Sequence, residues 1–133
     1  MKRTRLILSI FIALSMLCLS SHATVYTKQD SINVEKMLKE GAKQPKETCL
    51  MLYYANQLKG IPYVAATLEV NPTEQLAINL TQMDCLTLVE NCLALSLATK
   101  HGSTHFKDFC HWLERIRYRD GHLDGYASRN HYF

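Results

Sequence analysis

The chain has 133 residues, with 15 Lys and Arg against 12 Asp and Glu and 47% hydrophobic residues. That length allows one small domain and no more. Its formal charge of +3 does not point to a polyanionic partner, because Lys2, Arg3 and Arg5 all fall in the first five residues, and the remaining basic and acidic residues balance. A nucleic-acid partner is therefore not expected.

Those three cations open a recognisable segment. An apolar run from Leu6 to Leu19 follows them, and Ser21-His22-Ala23 puts small residues where a signal peptidase reads. This is the pattern of a secretory signal, too short for a membrane span. Cleavage after Ala23 is expected, leaving residues 24–133 as one exported domain without a membrane span. A lipid-anchored reading would use Cys18, but bulky Leu17 precedes it.

Four cysteines lie beyond Ala23, at positions 49, 85, 92 and 110, and none forms a C-x-x-C pair. Export would permit disulfides, yet all four sit in apolar helical patterns. A zinc ribbon or a thioredoxin-type motif is not supported.

In chain order, residues 31–41 read as a short amphipathic helix with Ile32, Val34, Met37 and Leu38 as its apolar residues and Gly41 as its stop. A second helix follows Pro45, with Cys49, Leu52 and Tyr53 along one side and Gly60 as its C-terminal cap. Pro62 and Pro72 make the next stretch extended or irregular. A third helix runs from Cys85 to about Lys100, where His101-Gly102 breaks it. A fourth is expected from Ser103, with Phe106, Phe109, Cys110, Leu113 and Ile116 at helical spacing. The tail carries two D-G turns, at 120–121 and 124–125.

The third helix carries the chemistry. At about 100° per residue, Cys85, Leu86, Leu88, Val89, Cys92, Leu93, Leu95 and Leu97 cover a wide apolar arc. Thr87, Glu90, Asn91, Ala94 and Ala98 form the narrow remainder. Such a helix is expected to be central, with partners on several sides. Thr81 or Asp84 can cap it, which puts Cys85 in its first turn. Free backbone N–H groups and the positive end of the helix dipole gather there and favour anionic sulfur. The same N–H groups suit an oxyanion formed when that sulfur attacks a carbonyl. The competing reading is a small buried hydrophobe, which is the expectation for Cys49, Cys92 and Cys110.

A cysteine nucleophile also needs a base, usually a histidine. His101, His105, His111, His122 and His131 are available, and sequence alone places none of them beside Cys85. His101, His105, Cys110 and His111 do not match a zinc-ligand spacing, so no metal or other cofactor is expected.

Three motifs together resemble a known family. "GIPYVAATLE", "LAINLTQMDCLTLVENCLAL" and "IRYRDGHLDGYASRNHY" are similar, in that order, to the N-acetylmuramoyl-L-alanine amidase-like branch of the NlpC-type, papain-like cell-wall hydrolases. The resemblance spans roughly residues 47–133. It implies an α+β domain, of which this chain holds the N-terminal helical part, with most of the antiparallel sheet beyond it. It implies a periplasmic or secreted thiol hydrolase acting on peptidoglycan or its muropeptide fragments, at the amide between the lactyl group and L-alanine. Cys85 would be the nucleophile, and Tyr63 would hold substrate or orient the thiolate. Glu69, Ser128, Arg129, His131 and Tyr132 would line the sugar or peptide site. The superfamily's catalytic histidine follows the cysteine helix on a strand, in a setting not found before Phe133. The expectation is thus an amidase domain truncated at its C-terminus. A stem-peptide endopeptidase and a non-catalytic or unfolded muropeptide-binding fragment stand as alternatives. Two smaller departures are Leu86 after the Asp-Cys pair, and Ala66 where the family often has glycine.

Overall fold

The computed structural model describes residues 23–130. Residues 1–22 of the expected signal and the candidate site residues His131 and Tyr132 lie outside the described residues.

The first helix, α1 (Lys28–Gly41), begins on a reciprocal cap. Thr27 Oγ1 accepts from the Asp30 N–H, and the Asp30 carboxylate accepts from the Thr27 N–H at 2.9 Å. This box starts the helix three residues before the hydrophobic pattern does. Asp30 is buried and also accepts from the Leu80 N–H at 3.0 Å, tying the helix start to a distant loop. Three residues before Leu80 ends β2 (Leu76–Ala77), which pairs in parallel with β1 (Thr24–Val25), Thr24 opposite Leu76 and Val25 opposite Ala77.

Gly41 is not a left-handed stop. It is the last helical residue, and Ala42 after it stays right-handed. Its lack of a side chain serves a close approach instead: a Cβ there would overlap the Tyr54 hydroxyl and lie 2.8 Å from Tyr54 Cζ. Tyr54 belongs to α2 (Leu50–Gln57), is fully buried, and hydrogen-bonds Thr99 on the third helix. Three helices therefore meet at one glycine. Cys49 precedes α2 as its N-cap and is exposed, so it does not pack inward as its place in the pattern suggested. Leu58, not Gly60, is the C-cap of this helix; Gly60, at φ +91°, turns the chain two residues later.

The stretch from Ile61 to Leu80 is irregular apart from β2, as its prolines required. Ala66 sits at φ +59°. That left-handed conformation costs a non-glycine residue about 1 kcal/mol.

The third helix, α3 (Cys85–Lys100), packs against α1, α2 and α4 (Phe106–Arg117). It is central, but its orientation differs from the expected one. Thr87, Glu90, Asn91, Ala94 and Ala98, the narrow stripe, are all buried. Leu86, Leu88, Leu93 and Leu97 are only half-buried, and Val89 is exposed. The small side chains Ala94 and Ala98 admit neighbouring helices closely, and Glu90 meets a buried cation from α4. Hydrophobicity alone could not rank these faces, because Glu90 goes inside with an ion-pair partner, Arg117, that lies on another helix.

On α4, Phe109 and Leu113 are fully buried, with Phe106, Cys110 and Ile116 packed beside them, as the spacing indicated. Ser103 does not cap this helix; it donates to Asp108, and His105 takes the N-cap position. Beyond α4, the Asp120-Gly121 pair turns with both residues at positive φ. The tail then returns, with Tyr118 and Arg129 in an antiparallel bridge and Asn130 N–H donating to Arg117 C=O at 2.7 Å. The whole is a helix-dominated mixture of α and β, consistent with an α+β class. Among the described residues the one sheet is the parallel β1–β2 pair.

Candidate active site

The cap of α3 is built by Asp84 with Thr87. Asp84 Oδ1 accepts from Thr87 N–H at 2.8 Å, and Thr87 Oγ1 accepts from Asp84 N–H at 2.9 Å. Of the two expected caps this is the second; Thr81 instead donates its N–H to Asn79. Cys85 is thereby fixed as the first residue of the helix, and it is exposed.

The P-Y segment is held against the same place. Tyr63 and Met83 form an isolated parallel bridge, with Val64 N–H donating to Met83 C=O and Met83 N–H donating to Pro62 C=O, each at 3.2 Å. Met83 is two residues before Cys85, so this pairing carries Tyr63 to the thiol's neighbourhood. Tyr63 is 71% exposed. Both residues line one open cavity of about 390 Å³, with Asp84, Leu88, Gly60 and Ile61 among its walls.

The other thiols differ from Cys85. Burial pushes the Cys92 thiol up to about 11 and the Cys110 thiol up to about 12, which keeps both protonated. Cys49 is exposed but does not line the cavity. All four described cysteines are free.

The remaining candidates lie elsewhere. Arg129 is buried, and its fork is taken: Nε and Nη2 donate to Glu74 Oε1 at 3.1 and 2.8 Å, and Nη2 also reaches Oε2 at 2.7 Å. Burial opposes this charge, but the Glu74 carboxylate outweighs it and holds the guanidinium above its ordinary range. Glu69 is half-exposed and meets Arg129 Nη1 at 3.4 Å. Glu74 also accepts from the Tyr118 hydroxyl at 2.6 Å. Ser128 closes the tail's turn, donating to Gly125 C=O at 2.7 Å and accepting from Asp124 N–H at 2.9 Å. Glu69, Ser128 and Arg129 do not line the Cys85 cavity.

No histidine among the described residues lines it either. His101 stacks on Trp112 at 4.8 Å, His111 meets the edge of the same ring, and His122 lies with Ser128 along a hollow in the tail. No cluster of three His, Cys, Asp or Glu able to hold a metal ion occurs among the described residues.

Sequence reasoning passed over Glu74, Arg117 and Met83. Glu74 had no pattern to mark it. Arg117 and Glu90 were legible only as charges on helices with greasy neighbours. Met83 was legible only as one more apolar residue before the Asp-Cys pair.

The family model for AmiA-like, N-acetylmuramoyl-L-alanine amidase-like proteins matches residues 53–133, which include Tyr63, the Asp84–Thr87 cap and Cys85. The chain belongs to this amidase-like family. Solved structures agree. An N-acetylmuramoyl-L-alanine amidase from Bacteroides uniformis is 43% identical, covering 70% of this chain and 36% of that one, at a TM-score of 0.58. A Bacteroides fragilis protein described as a candidate xylanase is 47% identical over 61% of this chain and 35% of its own, at a TM-score of 0.57. A Legionella pneumophila protein at 23% identity shares the fold, with a TM-score of 0.60 over 78% of this chain and 34% of that one. The amidase-like chain therefore spans about a third of the length of the structures it matches. No curated protein matches it.

Proposed function

We propose that this chain carries the nucleophile-bearing part of a peptidoglycan amidase of the NlpC-type, papain-like kind, acting outside the cytoplasm on muropeptides. The observation that carries the reading is Cys85: an exposed thiol at the first position of a capped central helix, facing a cavity shared with Tyr63, inside the family-matched segment. The antiparallel sheet of such folds belongs to this proposal as well.

The chemistry follows from that position. Cys85 Sγ attacks the lactyl carbonyl, and the first-turn N–H groups are the natural donors to the resulting oxyanion. The C–N bond then breaks, the L-alanine amine leaves with a proton, and a muramoyl thioester remains on Cys85. Water hydrolyses the thioester to a carboxylic acid and returns the thiol. Tyr63 stands where it can orient substrate over the sulfur.

A glycosidic bond fits this cavity poorly. Glycoside hydrolysis needs two carboxyl groups flanking the bond. Among the described residues Asp84 is the one carboxylate on the cavity, and it is committed to the helix cap. The Glu69 and Glu74 pair is committed to Arg129.

One observation favours a second reading. No described histidine lines the cavity, which suits a chain that binds muropeptide without turning it over. Incubating purified residues 24–133 with anhydro-muropeptides and weighing the products separates the possibilities. Free L-alanine-terminated peptide supports the amidase. Cleavage within the stem supports an endopeptidase, and saturable binding with no product supports a binding protein. If products form, loss of turnover in His131→Ala would assign the base to that residue.

A further inference from the structure

The Cys85 cavity carries two charged side chains, Asp84 and Lys59, among apolar walls that include Leu58, Ile61, Met83 and Leu88. Asp84 is spent on the helix cap: its Oδ1 accepts from the Thr87 N–H and from the Thr87 hydroxyl, both at 2.8 Å. The Asn56 amide, also on the wall, is turned back onto Leu52 C=O at 3.0 Å. Lys59 differs from both. Its ammonium has no hydrogen-bond or ion-pair partner among the described residues.

The backbone from which Lys59 reaches the cavity is fixed. It lies just past the end of α2, where its own N–H donates to Asn56 C=O at 3.4 Å and the Ile61 N–H donates to Leu58 C=O at 3.3 Å. Gly60 between them turns at φ +91°. One uncommitted charge on an otherwise apolar wall is the kind of group that orients a ligand and sets its sign. Lys59 is exposed, so water screens it and the preference it gives is modest.

We propose that Lys59 makes the Cys85 cavity selective for anionic ligands and receives a carboxylate on the amine side of the scissile bond. The choice of side rests on the amidase reading; the charge preference does not. On the acyl side stands an N-acetylated sugar whose own carboxyl group is consumed in the scissile amide, so it offers no anion. On the amine side, the residue after L-alanine in a muropeptide stem has a free α-carboxylate. That carboxylate is the complement of an unpaired ammonium.

The test compares alkylation of Cys85 by iodoacetate and by iodoacetamide in the purified chain. Both reagents form a C–S bond with loss of iodide, so the ratio of their rates at one thiol cancels that thiol's own reactivity and reads the charge around it. Lys59→Gln should lower the iodoacetate-to-iodoacetamide ratio at Cys85 about threefold, the scale of an exposed ion pair. Lys59→Arg should keep the ratio. Cys49, exposed but off this cavity, should show no change in either variant. Lys59 is exposed, so both variants should fold, and melting curves check this. An unchanged Cys85 ratio in Lys59→Gln overturns the proposal. The carboxylate is tested by protecting Cys85 from iodoacetamide with N-acetylmuramoyl-L-alanyl-D-glutamate and with the D-isoglutamine form, in which the α-carboxylate is an amide. The acid should protect at about threefold lower concentration in the wild type, and the two should protect equally in Lys59→Gln. Equal protection in the wild type, or protection by neither, overturns the carboxylate assignment. The two readings fail separately: turnover with an unchanged ratio removes the role of Lys59 alone, while a ratio that falls without turnover keeps the anion site and removes the amidase.

Discussion

Arg117 of α4 donates Nε and Nη2 to the same oxygen of Glu90 on α3, each at 2.8 Å, with both side chains 1% exposed. The guanidinium's Nη1 also donates to Ala77 C=O at 2.6 Å, so one buried cation joins two helices to the sheet. Burial raises the Glu90 pKa even against the pull of Arg117. The pair therefore joins α3, α4 and β2, while the cost of burying both charges offsets much of their attraction.

Breaking that pair from one side should be costly. Glu90→Gln leaves Arg117 buried and unpaired, and a loss of about 3 kcal/mol is expected. Replacing both, as Glu90→Leu with Arg117→Met, should recover most of it. Urea unfolding of the single and double variants measures the difference. A neutral single variant would show that the pair is solvated in solution.

At Gly41 two effects oppose each other. Alanine gains about 1 kcal/mol in helix propensity, while overpacking costs about 1–3 kcal/mol. The overlap falls on a fully buried tyrosine, so the cost should win. Gly41→Ala is expected to lower stability by about 1–2 kcal/mol. Tyr54→Phe in the same chain should relieve part of that loss, because it deletes the atom in the way. Thermal melts of the four chains in this cycle provide the check.

Much of this was legible in the sequence, and the limits have physical causes. The four helices, the irregular stretch around Pro62 and Pro72 and the cap at Asp84 follow from local chemistry, which acts within a few residues. The inward face of α3 did not, because Glu90 goes inside only if Arg117, far along the chain, arrives to meet it. Arg129 illustrates the same limit. Its motif suggested a ligand contact, but Glu74 occupies its fork, and nothing near Arg129 in the sequence announces that partner. The neighbourhood of Tyr63 and Cys85 is intermediate: the motifs named both residues, while the Tyr63–Met83 bridge that joins them required the fold.

The thiols should separate cleanly with iodoacetamide at pH 8. Cys49 and Cys85 are exposed and should be alkylated in the folded protein. Cys92 and Cys110, held up to about 11 and about 12 by burial, should react only on unfolding. Peptide mapping by mass spectrometry gives the order. Rapid labelling of Cys92 would contradict the packing of α3.

Stability should fall in alkali. Cys92, Cys110 and Tyr118 all have folded pKa values raised, the last by burial and by the Glu74 carboxylate. Each raised group contributes stability that is present below its unfolded value and lost as pH rises through its folded value. The decline should begin near the thiol range at about pH 8.5 and steepen past about pH 10 as unfolded tyrosine ionises. Urea midpoints of the reduced protein at pH 7, 9 and 10.5 should decrease in that order.

The central claim is that Cys85 is the nucleophile, and its most direct test is muropeptide turnover by the wild-type chain beside Cys85→Ala. Liquid chromatography with mass spectrometry should find L-alanine-terminated peptide released by the wild type and none released by the variant, whose melting curve is otherwise unchanged. Release that survives Cys85→Ala would contradict the account.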